Sequence, residues 1–160
     1  MTSIFLREIK STDQEWIKKI SLDLWNSVEV VSQHKIYYTD KLSGILAIYQ
    51  DTRAGLLLYS IDQPTLNIIS LNTLYENIGI GSKLIERIEK IGIKKRLKKV
   101  RITTTNDNID ALRFYQAKGF QIINVNVDIM KKYRKLKPGL PKLGFYNIEI
   151  RDEFVLEKPL

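Results

Sequence analysis

The chain of 160 residues contains no cysteine and a single histidine, His34. Without cysteine there is no disulfide, no thiolate metal site and no cysteine nucleophile, and a cytoplasmic location is the default reading. One histidine leaves little material for a multi-histidine metal site or a conventional Ser-His-Asp triad, so no metal is expected. His34 itself reads as ordinary surface or loop. Long apolar runs are missing too. No stretch approaches the ~20 apolar residues of a membrane span. The opening segment Met1-Thr2-Ser3-Ile4-Phe5-Leu6-Arg7-Glu8 meets charge before any such run, so neither a signal peptide nor a membrane partner is expected.

What is present is ordinary in composition, 44% hydrophobic and 28% charged, as in a soluble globular protein. The length fits one domain over residues 1–160, able to bury roughly 70% of its unfolded surface. The balance is basic, with a formal net charge of +8. That excess favours an anionic partner: nucleic acid, acidic membrane or a phosphorylated cofactor. The sign alone does not choose among them.

The apolar pattern gives a coarse order of elements. Ile4 to Ile9 alternates as a strand, and Thr12 and Glu15 stand at capping-box spacing before Trp16, Ile17, Ile20 and Leu24 at helical intervals. Val28 to Lys41 reads as a short helix or loop. Three strands follow, over Ser43 to Gln50, Gly55 to Ile61 and Leu66 to Leu74, the first two as a hairpin. Gly79 or Ile80 opens a helix with Leu84, Ile88 and Ile91 on one stripe, and Gly92 is expected to weaken or end it. Val100 to Thr105 is a β-branched strand. Asp107 or Asn108 caps the next helix through Lys118, and Gly119 stands where a left-handed C-terminal cap belongs. Phe120 to Val127 is strand, Lys131 to Gly144 a short helix and long loop, and Tyr146 to Leu156 a final strand. This is one α/β domain with a mixed sheet.

Two strand-to-helix junctions carry the chemistry. The first is Tyr75-Glu76-Asn77-Ile78-Gly79-Ile80-Gly81-Ser82-Lys83-Leu84. A helix N-terminus presents unpaired N–H groups and the positive end of the helix dipole. Glycines there let the main chain approach a phosphate or pyrophosphate. A plain tight turn uses the same residues. Ser82-Lys83 reverses the Gly-Lys-Ser/Thr ending of a nucleotide-hydrolase loop. A dinucleotide fingerprint would need a third small residue at Leu84 and an acid near Val100 or Arg101. The second junction is Asn108-x-x-Ala111-x-x-Phe114-Tyr115-x-x-x-Gly119-Phe120.

Together, in this order, the two resemble the cofactor site of the GNAT superfamily of acyl-CoA-dependent N-acetyltransferases. The family's Gln/Arg-x-x-Gly-x-Gly/Ala turn is matched at Gly79 and Gly81 and departs at Glu76; the second junction matches throughout. The segments 136–141 and 150–157 look like an uncharacterised bacterial subgroup, which supplies no substrate. The resemblance implies a GNAT-like, mixed and mostly antiparallel central sheet flanked by helices. It implies acetyl-CoA as co-substrate, its pantetheine arm against the main chain of Ile69, Ser70 and Leu71. The pyrophosphate would lie on the turn Asn77, Ile78, Gly79, Ile80, Gly81 and Ser82. Asn108 would bind cofactor or cap its helix, and Tyr115 would bind cofactor and protonate the departing thiolate. Read by itself, Tyr115 is better taken as a core aromatic sharing a face with Leu112.

No carboxylate is assignable as general base: Thr103 stands where some relatives carry one, and Asn67, Ser70 and Asn72 where others do. The implied activity moves an acetyl group directly to a primary amine of a small molecule or protein. Two alternatives stand beside it. One is an acyl-CoA sensor without catalysis. The other is nucleic-acid binding through the basic runs 94–101 and 131–135, with Tyr133 as its best support but no recognisable motif. The expected acceptor walls are 28–41 and 131–146. Asp152 and Glu153 could attract a cationic acceptor, although structural ion pairs with Lys or Arg are the plainer expectation. The sequence does not fix the oligomeric state.

Overall fold

The computed structural model describes residues 3–160. Met1 and Thr2, the start of the segment read above as lacking a leader, lie outside the described residues. In chain order the elements are β1 (Phe5–Glu8), α1 (Gln14–Trp25), β2 (Glu29–Ser32), β3 (Lys35–Tyr38), β4 (Ser43–Tyr49), β5 (Thr52–Asp62) and β6 (Thr65–Thr73). There follow α2 (Ile80–Lys94), β7 (Lys99–Thr105), α3 (Ile109–Ala117), β8 (Gln121–Asn126), α4 (Met130–Leu136) and β9 (Glu153–Pro159). Seven strands form one sheet in the order β1-β4-β5-β6-β7-β9-β8. Every neighbouring pair is antiparallel except β6 and β7, which run parallel. The mixed, mostly antiparallel sheet is the expected architecture.

Both faces of the sheet are covered, as the alternation of its strands requires. On β5, Leu57 and Tyr59 join the larger core with Leu84, Ile85 and Ile88 of α2 and Tyr115 of α3. The intervening Leu56 and Leu58 pack with Ile17 and Ile20 of α1 on the other face. Helices α2 and α3 therefore share one side, and α1 lies on the other.

Asp13 anchors the start of α1. Its carboxylate is fully buried and accepts a bidentate pair from Arg7 (2.7 and 2.9 Å), two bonds from Arg53 (3.1 and 3.0 Å) and the Lys10 N–H (2.8 Å). This replaces the expected Thr12–Glu15 capping box: residues 11–13 form a 3-10 turn and the helix starts at Gln14. The Arg7 guanidinium, working against the cost of burial, holds the Asp13 carboxyl far below the usual carboxylate range. Asp13→Asn is expected to cost about 2–4 kcal/mol at neutral pH, because two guanidinium groups lose their counter-charge. Since the folded-state pKa is depressed, this contribution is complete above the unfolded value near ~4 and fades as pH falls through the lower folded value. Denaturant melts at pH 7 and pH 3 should show the wild-type advantage shrinking at the lower pH. An equal gap at both would contradict it.

Three expectations change. Val28 to Lys41 is mainly a two-stranded hairpin, with Val30 opposite Tyr37 and Val31 opposite Ile36. Gln33 and His34 occupy its turn at positive φ (48° and 65°), so its β-branched and aromatic residues form strands without the usual glycine or asparagine signal. Gly92 does not end α2, which runs to Lys94. It leaves room for the chain's last residue, since a Cβ at 92 would lie 2.5 Å from Leu160 Cδ1. The final strand begins at Glu153, not near Tyr146. Asn106 Oδ1 accepts the N–H groups of Arg151 (2.9 Å) and Asp152 (3.0 Å), so side-chain bonds hold the backbone just before it.

Candidate active site

The parallel pair β6–β7 splits part-way. Thr65 to Ile68 pair with Lys99 to Ile102, and there the ladder stops. The cause is local: Leu58 pairs with Ser70 and Tyr59 with Ile68, so Ile69 is an extra residue bulged out of β6. A bulge bends its strand and disrupts the adjoining ladder. Beyond it, Ile69 to Thr73 of β6 and Thr103 to Thr105 of β7 diverge with unpaired edges towards each other. The three strand residues expected against a pantetheine arm, Ile69, Ser70 and Leu71, are the first of this free stretch.

The glycine turn follows β6 directly. Asn77 (φ 59°) and Gly79 (φ 86°) take left-handed conformations, and Gly79 is the N-cap of α2 with no side chain on the helix's first N–H groups. The first helical bond runs from Lys83 N–H to Gly79 C=O (3.1 Å), leaving the donors of Ile80, Gly81 and Ser82 ahead of it. The Ile80 side chain is buried against the sheet, where a Cβ at Gly55 would lie 2.6 Å from its Cγ2. Ile80 therefore offers a ligand only its main chain. Ile78 is exposed, and so is Glu76, where the family carries Gln or Arg. A Cβ at Gly81 would sit 3.2 Å from Phe114 Cζ and 3.9 Å from Leu71 Cδ2. One turn thus touches both the free part of β6 and the helix after β7.

At the second junction Asn108 is the N-cap of α3, its Oδ1 accepting the Ala111 N–H at 3.2 Å. Tyr115 is 6% exposed, edge-on to Phe114 (5.4 Å) and Phe120 (5.8 Å), and makes no hydrogen bond among the described residues. Burial pushes its phenol well above the usual value near ~10, which keeps the proton on oxygen. Tyr115 packs in the core, and its one polar atom has no partner among the described residues.

Ser70 gives a further test of fit. Its Oγ is buried without a hydrogen-bond partner among the described residues, on the free stretch of β6 beside the split. A buried hydroxyl with no partner gains the protein nothing by itself. The hydroxyl, the uncapped donors of α2 and the divergent strands fit a long ligand with a polar arm and an anionic end. Ser70→Ala is expected to leave the melting temperature unchanged or slightly higher while weakening acetyl-CoA binding about threefold to tenfold, the worth of one hydrogen bond. Calorimetry beside a thermal melt checks both halves.

The family described as "Acetyltransferase (GNAT) family" matches residues 6–120. The chain belongs to the GNAT acetyltransferase family. As a member it is an acetyl-CoA-dependent N-acetyltransferase. An uncharacterised Bacillus subtilis protein, YxbD, is 38% identical over 137 residues, covering 85% of this chain and 86% of YxbD. Among solved structures, an IAA acetyltransferase from Bacillus cereus superposes with a TM-score of 0.77 at 21% identity, covering 99% of this chain and 100% of the other. A GNAT family acetyltransferase from Elizabethkingia anophelis with acetyl-CoA bound superposes at 0.73 with 21% identity, over 98% of each chain.

On the sheet face away from α2 and α3, this GNAT chain carries a second group of polar residues. Thr103 and Thr105 alternate with the core residues Val100 and Ile102 and point to that face, where Thr103 Oγ1 lies 2.5 Å from Ser32 Oγ of the hairpin. Glu153 accepts the Tyr133 hydroxyl (2.9 Å), the Asn126 amide (3.0 Å) and the Gln33 N–H (3.3 Å). The expected ion pair forms at Asp152 with Arg151 (2.9 Å) and not at Glu153. Burial opposes the Asp152 charge, but Arg151 and the Asp128 N–H outweigh it and hold the carboxyl below its usual range. Sequence reasoning missed Glu153 as an unpaired acid because its partners come from the hairpin, β8 and α4.

Tyr133 corrects another expectation. It is 2% exposed, so it has no free face on which a base could stack, and the main support for nucleic-acid binding goes with it. Within the basic runs, Lys99 and Arg101 pair with Glu157, and Lys131 with Asp128. His34 lies in the hairpin turn, as expected of a loop residue. A groove of about 390 Å³ along α2 passes Arg87, Lys90 and Lys94, away from both junctions, and holds no group the chemistry needs. No helix among the described residues is long and apolar enough to cross a membrane.

Proposed function

We propose that residues 1–160 form one acetyltransferase domain that moves an acetyl group directly from acetyl-CoA to the primary amine of a small molecule. The glycine-capped N-terminus of α2, beside the split between β6 and β7, carries this reading. Its free N–H groups bind the pyrophosphate, with Gly79 and Gly81 keeping side chains out of the way. The unpaired edge at Ile69, Ser70 and Leu71 holds the pantetheine arm, and a main-chain N–H there polarises the thioester carbonyl. The amine nitrogen forms its bond to the carbonyl carbon as the C–S bond breaks. Of the three protons on the incoming ammonium, one stays on the amide, one replaces that given to sulfur by Tyr115, and one leaves to solvent. Burial raises the Tyr115 pKa, so the phenol carries its proton before transfer, and the proton from the ammonium replaces it as it passes to sulfur.

The test is release of CoA thiol from acetyl-CoA by the whole protein against small amines, aminoglycosides, amino acids and peptides. Release that depends on an amine is the expected result. Acetyl-CoA binding without turnover of any amine would make the protein an acyl-CoA sensor. Salt-sensitive nucleic-acid binding without acetyl-CoA binding would overturn both readings.

A further inference from the structure

Glu153 is a carboxylate without a cation. It is 3% exposed and takes part in no ion pair among the described residues. Its Oε1 accepts two neutral donors, Tyr133 Oη–H and Asn126 Nδ2–H, while Oε2 has only the Gln33 N–H at 3.3 Å. Two carboxylate oxygens offer about four acceptor positions, so one on Oε2 stays open. Burying a charge with only neutral donors is costly, and a cation reaching the open position would offset that cost.

Glu153 is also a wall of a pocket of about 170 Å³, with Thr105 and Tyr133 as the other polar walls. The remaining walls are apolar: Val31 from the hairpin, Met130 from α4, and Leu140, Pro141 and Ile150 from the loop before β9. The loop is tied down, because Arg134 donates to the carbonyls of Pro141 (3.1 Å) and Ile150 (2.8 Å). Lys137 ties α4 to the hairpin through the Glu29 carbonyl (2.8 Å). Thr105 ends the free stretch of β7, so the pocket adjoins the wall of the split on the face opposite α2 and α3.

We propose that this pocket takes the acceptor, that Glu153 binds its ammonium group, and that the acceptor is a compact monoamine with a hydrocarbon body. This rests on the acetyltransferase reading above. Size sets the scale: a cavity of about 150 Å³ admits benzene, so this pocket, open on one side, encloses roughly six to eight non-hydrogen atoms. The apolar walls favour hydrocarbon, and the single carboxylate serves one ammonium. Within the pocket, a second charge or an amide would lie against Val31, Leu140 and Pro141 without a partner, so a monoamine is favoured over a polyamine, an aminoglycoside or a peptide.

The experiment measures benzylamine and hexylamine binding to the whole protein by calorimetry, against spermidine and a hexapeptide. It uses wild type, Glu153→Gln and Val31→Phe. The glutamine keeps the shape and can still accept from Tyr133, but loses the charge; the phenylalanine fills the pocket and leaves Glu153 in place. The monoamines are expected to bind wild type best and to lose about 100-fold in affinity in Glu153→Gln, the usual loss when one member of a buried charge pair is removed. Val31→Phe should exclude benzylamine. Both variants should bind acetyl-CoA within about twofold of wild type, the sign that the fold and the other site are intact. Equal benzylamine affinity in wild type and Glu153→Gln, or preference for spermidine or peptide, would overturn the proposal. Benzylamine that binds through Glu153 yet is never acetylated would instead count against the acetyltransferase reading and leave the pocket assignment standing.

Discussion

Gly81→Glu should reduce acetyl-CoA affinity by about 100-fold or more while leaving a folded protein. A carboxylate about 4 Å from a phosphate, at an effective dielectric constant near 20, is repelled by about 4 kcal/mol. The effect is specific to this turn because its helix donors have no side-chain cap and Gly79 and Gly81 alone keep it open. Gly81→Ala is the steric control. Its Cβ would lie 3.2 Å from Phe114 Cζ, a contact that a small movement of the ring relieves, so a loss of only a few fold is expected. Calorimetry of the three proteins, each with a thermal melt, separates charge from packing. Affinity in Gly81→Glu equal to wild type would remove the pyrophosphate from this turn. The same argument gives Glu76 a sign. Glu76→Gln, at an exposed position before the turn, should tighten acetyl-CoA by about twofold to fivefold, more at low salt than at high.

The second large effect is at Tyr115. Tyr115→Phe removes one oxygen that has no protein partner, so the core should keep its packing against Phe114 and Phe120 and the melting temperature should change little. General acid catalysis is worth ~10²–10⁴-fold, and the loss should appear in kcat with KM for acetyl-CoA nearly unchanged. Because burial raises its pKa, no alkaline fall in kcat assigned to this group should appear below about pH 10. A change in kcat of less than about threefold would reduce Tyr115 to a core aromatic.

How much of this was legible in the chain depends on the range of the interactions. The run from β4 to α3 follows from periodicity and local signals, since strands alternate, helices repeat and the Asn108 cap lies within its own turn. The glycine turn was legible for the same reason. Its reading as an anion site came from the resemblance of the two junctions; the split beside it was not legible, because that depends on the bulge at Ile69, which comes from register with Leu58 and Tyr59 on another strand. The hairpin β2–β3 was missed because Gln33 and His34 carry none of the residues that mark a tight turn. The role of Asp13 has no local signal, because its partners Arg7 and Arg53 lie on strands. Gly92 looked like a helix breaker and proves to be a seat for Leu160. Glu153 was visible as a charge. Its lack of a cation depends on Gln33, some 120 residues earlier, as well as on Asn126 and Tyr133. Ser70 carried a weak signal, a hydroxyl within the apolar run Ile68-Ile69-Ser70-Leu71.

Direct transfer from acetyl-CoA to an amine passes through no acetylated protein, and a single-turnover experiment with carbonyl-labelled acetyl-CoA reads this out. Enzyme in excess over label, mixed with benzylamine and quenched at intervals, is analysed by mass spectrometry of both the protein and the small molecules. Label is expected in the amide carbonyl of N-acetylbenzylamine, with one free CoA thiol for each amide formed and no labelled protein at any time. Label appearing first on the protein would contradict direct transfer, and label remaining wholly in acetyl-CoA with benzylamine bound would contradict catalysis.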